Sequence, residues 1–128
     1  MPEVDDAVID AKAAAFADAI AHAEGYFVPG SLPFRTNNPG DMELGDRGNG
    51  VLKGKTVYAT AEDGFAALRR ECTAILTGAS VVYSVNWTFL EVANKWTGND
   101  DPDAWCNEVC SRLKTVFPST TIREYVLQ

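Results

Sequence analysis

The sequence predicts a mainly α domain of the α+β kind, with about four main helices and a small β-hairpin. Three observations predict it. Apolar residues recur at helical spacing in four separate segments; a stretch rich in proline and glycine divides the first from the second; and three of the four segments open on a helix-capping side chain.

The first eight residues are acidic with few large side chains and read as a flexible lead-in, leaving residues 9–128 as a single domain. From there Ile9, Ala13, Phe16, Ala17 and Ile20 mark the buried stripe of a helix that should end near Gly25. Between Tyr26 and Gly40 the run YFVPGSLPFRTNNPG holds three prolines and two glycines, which excludes regular helix and predicts an ordered loop. Asp41–Leu44 and Thr56–Ala59 are the expected strands of the hairpin, joined by the Gly-rich LGDRGNGVLKGK.

Thr60 and Asp63 form a T-x-x-D start, and Phe65, Leu68, Cys72, Ile75 and Leu76 a core stripe closed by Gly78. Thr88 and Glu91 repeat the signal ahead of Phe89, Val92, Ala93 and Trp96, all four of them expected to face the core. Asp101 caps the last main helix with Pro102 in its first position, and Cys106, Val109, Cys110, Leu113 and Phe117 supply its buried stripe.

Composition narrows the function classes. A net charge of −7 argues against nucleic acid, whose binding rests on Lys and Arg displacing counterions, and against anionic membranes. No apolar run approaches the ~20 residues that span a bilayer, and the N-terminus lacks the basic start and apolar run of an export signal. A monomer without membrane insertion is expected. The three cysteines lack metal-binding spacing and read as small buried hydrophobes; Cys106 and Cys110, one helical turn apart, are too distant to bridge, while a Cys72 link to either stays open. Neither metal nor cofactor is expected, since the run Asn99–Asp103 lacks the twelve-residue loop of a calcium site.

Glu24 carries the chemistry. It lies four, eight and eleven residues after Ile20, Phe16 and Ala13, so at ~100° per residue it continues their apolar face. A carboxyl group there loses hydration, and at a helix C-terminus it meets the negative end of the macrodipole. Both effects favour the protonated acid, which is what a glycosidic oxygen needs as a proton donor. The competing reading has Glu24 turning outward at a frayed helix end.

The segment AIAHAEGYFVPGSLPFRTNNPGDM resembles the E-G…R-N-N-N-P-G-N segment of phage and bacterial lysozyme-like proteins, related to lytic transglycosylases. TVYATAEDGFAALRREC and WTGNDDPDAWCNEVC resemble later family patterns, so the similarity covers roughly residues 14 to 115. The resemblance implies a lysozyme-like fold, a cleft between a helical part and a small β-part, and a catalytic glutamate in the place of Glu24. Arg35, Asn37 and Asn38 match the family's Arg and paired Asn and would shape the cleft wall. Thr36 and Asp41 depart from the pattern, each standing where relatives often carry Asn.

Asp41 is the candidate second carboxylate, with a turn residue after Pro-Gly as the alternative. Asn37 and Asn38 are candidates for holding N-acetyl groups or, equally, members of an Asn-Pro turn. Tyr26 and Tyr58 are candidates for stacking on sugar rings. His22, ~200° around the helix from Glu24, is expected in solvent. The expected function is cleavage of peptidoglycan glycan strands between N-acetylmuramic acid and N-acetylglucosamine, as a muramidase or lytic transglycosylase, with a weak preference for the 1,6-anhydro product. Such an enzyme works in the periplasm, outside the cell or on a virion. The alternative is a non-catalytic glycan-binding or phage structural module.

Overall fold

A computed structural model describes residues 4–43 and 50–128. Its order is α1 (Asp6–Ala23), α2 (Leu32–Arg35), β1 (Val51–Leu52), β2 (Lys55–Thr56), α3 (Ala61–Thr77), α4 (Phe89–Thr97), α5 (Pro102–Leu113) and α6 (Ile122–Val126). The fold is mainly helical with one small antiparallel sheet.

Helix α1 lies against both α3 and α5, α4 packs on α5, and α6 closes on α3. Phe16 and Ile20 from α1 meet Leu68, Cys72, Ile75 and Leu76 from α3, Phe89 and Val92 from α4 and Val109 from α5, all without solvent exposure. Each stripe is the one that the helical spacing selects, because burying one face is what makes these short helices stable. Among the described residues no helix is long and apolar enough to cross a membrane.

Several boundaries differ from expectation. Asp5 caps α1 by accepting from the Ala7 amide at 2.9 Å, so the helix starts three residues before Ile9, and Val4 packs on the core. One turn of helix, α2, forms inside the stretch expected to be loop: Ser31 caps it, and Pro33 sits in the first turn, where an amide proton is not needed. Helix α6 was not anticipated, although Thr121 and Glu124 form the same reciprocal capping box that starts α4 at Thr88 and Glu91.

The hairpin is also displaced. β1 and Lys55 of β2 lie within the run expected to connect the strands, and only Thr56 falls in an expected strand; Val51 pairs with Thr56 and Leu52 with Lys55 around Lys53 and Gly54, whose φ values of 50° and 81° suit the tight turn of a two-residue hairpin. Asp41, at φ 51°, breaks the extended run expected from Asp41 to Leu44. Leu44 itself lies outside the described residues, as does the first half of the expected connection. Beyond β2 the Val57 amide still donates across the hairpin to the Gly50 carbonyl at 2.9 Å, and the Tyr58 amide then donates to the Thr36 carbonyl at 2.9 Å.

Two expected core residues lie elsewhere. Phe117 is 71% exposed because α5 stops at Leu113, where Lys114 adopts φ 70° and turns the chain, so that Val116 is buried instead. Phe65 is half-buried and joins Tyr26, Phe27 and Phe34 in an aromatic cluster beside the main core. Leu113 is likewise only partly buried. All three cysteines are free and buried, with 3.9 Å between the sulfurs of Cys106 and Cys110, far beyond the ~2.05 Å of a disulfide.

Candidate active site

Glu24 owes its place to the way α1 ends. Its own amide donates to the Ile20 carbonyl at 2.8 Å, Gly25 follows at φ 78°, and the amides of Gly25 and Tyr26 return to the carbonyls of His22 and Ala21. This is the Schellman arrangement, which needs a residue free to adopt positive φ just past the helix, and glycine supplies it. The last helical turn therefore stays regular, and the Glu24 side chain keeps the direction set by Ile20 and Phe16 rather than fraying into solvent.

The carboxyl group lies on the wall of a cavity of about 330 Å³ lined also by Asp41, Lys55, Trp96, Thr97, Asp100, Asp101 and Trp105. A second cavity of about 320 Å³ shares Asp41, Lys55, Trp96 and Thr97 with it and continues to Glu43, Tyr83 and Lys95. The two adjoin along these four shared residues and together make up a groove.

Burial raises the pKa of Glu24 to about 7, against a hydrogen bond from Trp105 that lowers it; the Asp41 charge adds to the rise and Lys55 offsets part of it. Trp105 Nε1 donates to Glu24 Oε2 at 2.8 Å. Lys55 Nζ is 3.4 Å from Asp41 Oδ2 and 2.9 Å from Glu43 Oε1. Burial pulls Lys55 down, but these carboxylates outweigh it and hold the ammonium above its ordinary value. Asp41 Oδ1 is shielded from solvent and accepts no hydrogen bond among the described residues.

The remaining candidates line neither cavity. Asn38 is fully buried and spends its side chain on the backbone, donating to the carbonyls of Met42 and Thr56 at 2.8 and 2.9 Å and accepting from the Met42 amide at 2.9 Å. Asn37 donates to the Tyr58 carbonyl at 3.0 Å and adopts φ 53°, a conformation asparagine tolerates. Both therefore fasten the loop before Asp41 to the hairpin side, in keeping with the turn role that stood as the equal alternative to holding N-acetyl groups. Tyr58 is 6% exposed within the core, and Tyr26 is packed among Phe27, Phe34 and Phe65, so neither ring is offered to the groove. Arg35 is exposed on α2, away from the groove lining. His22 stacks on Phe27 with ring centroids 4.3 Å apart and faces Asp18, on the side of α1 away from Glu24.

Sequence reasoning missed Trp105, Lys55 and the exposure of Trp96 to the groove. Trp105 had a signal, since it precedes Val109 by four residues on the α5 stripe. Trp96 donates Nε1–H to the Gly40 carbonyl at 3.1 Å, and its polar edge is what places it at the wall instead of deep in the core. Among the described residues no three His, Cys, Asp or Glu side chains gather to hold a metal ion.

Comparison of the chain with protein-family models, curated proteins and solved structures finds no match in any of the three. The likeness of its short segments to lysozyme-like and phage proteins thus does not extend to a family match, which corrects the lysozyme, peptidoglycan and phage assignment drawn from them.

Proposed function

We propose that this protein cleaves glycan strands, with Glu24 protonating the glycosidic oxygen. The observation that carries the reading is a carboxyl group with a pKa raised to about 7, on the wall of an open groove that it shares with a second carboxylate and a lysine. An acid that keeps its proton near neutrality can transfer it to a weakly basic ether oxygen as the bond from carbon to that oxygen breaks. The positive charge that develops on the anomeric carbon is matched by Asp41, the second carboxylate on the wall of the same groove.

With Asp41 in the groove, hydrolysis to a reducing sugar becomes the preferred outcome over the 1,6-anhydro product. Continuation of the groove past Asp41 and Trp96 supports an extended polymer over a monosaccharide. A cleft between a helical body and a small β-part, with the acid at the end of the first long helix, is the finer architecture that accompanies this reading.

Its test is Glu24→Gln, nearly isosteric but unable to donate an acidic proton. The variant should keep its circular dichroism spectrum and release no sugars from purified peptidoglycan or from chitin oligomers, whereas the wild type does. A Gln variant with wild-type turnover sinks the proposal. A wild type that binds these glycans and releases nothing makes the domain a binding module instead.

A further inference from the structure

Two indole N–H groups end on the wall of the groove, and each holds one side of it. Trp105, only 5% exposed, donates from α5 to Glu24 at the end of α1. Trp96 donates from α4 to the carbonyl of Gly40, the residue before Asp41. The rings lie against each other with centroids 5.8 Å apart and planes at 31°. The stacked pair thus connects the two segments that carry the carboxylates.

An indole nitrogen is a donor only, so it can serve an oxygen lone pair and never a hydroxyl proton. The carbonyl oxygen of a neutral carboxyl group is its better acceptor, so the bond from Trp105 to Oε2 favours placing the single proton of a neutral Glu24 on Oε1. We propose that Trp105 is a positioning residue that assigns the dissociable proton of Glu24 to Oε1, with Trp96 stacked on it to fix the same unit to the backbone at Asp41. The catalytic meaning of this assignment rests on Glu24 being the general acid. The proton placement does not.

The bond has a second effect, because a donor strengthens its hold when the acceptor becomes charged. It therefore favours the carboxylate and counteracts burial, keeping Glu24 an acid that can still dissociate near neutral pH. The other charged and titratable groups around Glu24 are Asp41 from the loop after α2, Lys55 from β2, Asp100 and Asp101 from the turn between α4 and α5, and Tyr83 from the segment after α3. All of them are retained when Trp105 alone is changed.

Trp105→Phe preserves a ring beside Trp96 and removes the donor. With ¹³C-labelled glutamate and ¹⁵N-labelled indoles, the Glu24 Cδ and Trp105 Nε1–H resonances of the wild type should titrate with one shared midpoint near pH 7. Glu24→Gln should abolish that midpoint in the Trp105 resonance. In Trp105→Phe the Glu24 Cδ midpoint should rise by about one pH unit, the value of a hydrogen bond to a charged group. A Trp105 resonance blind to the titration of Glu24, or a Glu24 midpoint unmoved in Trp105→Phe, overturns the proposal. If the Phe variant does not fold, the wild-type and Glu24→Gln titrations still decide. None of these measurements reads turnover: a coupled titration in a protein that releases no sugar supports the proton placement and removes the catalytic reading alone.

Discussion

Gly64, in the first turns of α3, meets the carbonyl of Asn37 so closely that a β-carbon on Gly64 would overlap that oxygen and also press on Pro39. The contact involves backbone on both sides, so no flexible side chain can yield. It brings α3 directly onto the loop that carries Asp41, and the Asn37 side chain in turn donates to the Tyr58 carbonyl, three residues before α3 begins.

Gly64→Ala should therefore destabilise the protein by on the order of 1–3 kcal/mol, as overpacking does. The sign is the informative part, since Gly to Ala inside a helix ordinarily stabilises by about 1 kcal/mol. Urea denaturation of the variant against the wild type measures it, and a more stable variant would show that α3 does not approach the loop in this way.

Glu24 makes stability depend on pH with a definite sign. Its pKa rises from an ordinary 4.5 to about 7 on folding, so the native state binds the extra proton. Below pH 4.5 the group is neutral in both states and costs nothing; as pH rises towards 7 the unfolded chain ionises first, and stability falls by an amount that levels off above pH 7. Glu24→Gln should thus be more stable than the wild type at pH 8, by on the order of 1–3 kcal/mol, and equal to it near pH 4. Denaturation curves at the two pH values check this. A gain of the same size at both would place its origin outside ionisation.

Lys55 and Asp41 act on Glu24 with opposite signs. Lys55→Met removes a neighbouring cation and should raise the Glu24 midpoint, moving the alkaline limb of kcat/KM to higher pH; Asp41→Asn removes an anion and should lower both. Asn also tolerates the positive φ at that position, so the loop is retained. Asp41→Asn should in addition reduce kcat by a factor of ~100 if its carboxylate faces the developing cation. Two shifts in the same direction in the pH profiles would remove Lys55 and Asp41 from the electrostatics of the site.

The helices were legible because each rests on local signals: the stripes of α1, α3, α4 and α5 follow a period of 3.6, and Thr60, Thr88, Asp101 and Gly78 mark their ends. Glu24 could be placed in the groove for the same reason, as one more residue of a stripe. The partners that define its chemistry could not. Trp105 is 81 residues away in the chain, Lys55 depends on where the hairpin turns, and Asp41 is re-aimed by a backbone conformation that pattern reading took for a strand. Asn38 stayed open between two uses for a related reason, since an amide suited to a sugar is equally suited to the backbone carbonyls of Met42 and Thr56. Burial decided between the two uses, and burial at Asn38 depends on the whole fold.

The groove draws its lining from the end of α1, the loop at Asp41, β2, the end of α4 and the start of α5. These segments come together only in the folded chain, so a ligand that fits the groove has nothing to bind in the unfolded one. Occupancy then adds directly to the free energy of unfolding, by about 2.7 kcal/mol at a ligand concentration of one hundred times Kd. For a domain of this size that is a rise of several degrees in Tm. The melting temperature is consequently a readout for occupants of the groove that requires no turnover, and a panel of soluble oligosaccharides can be ranked by it even in the Glu24→Gln protein.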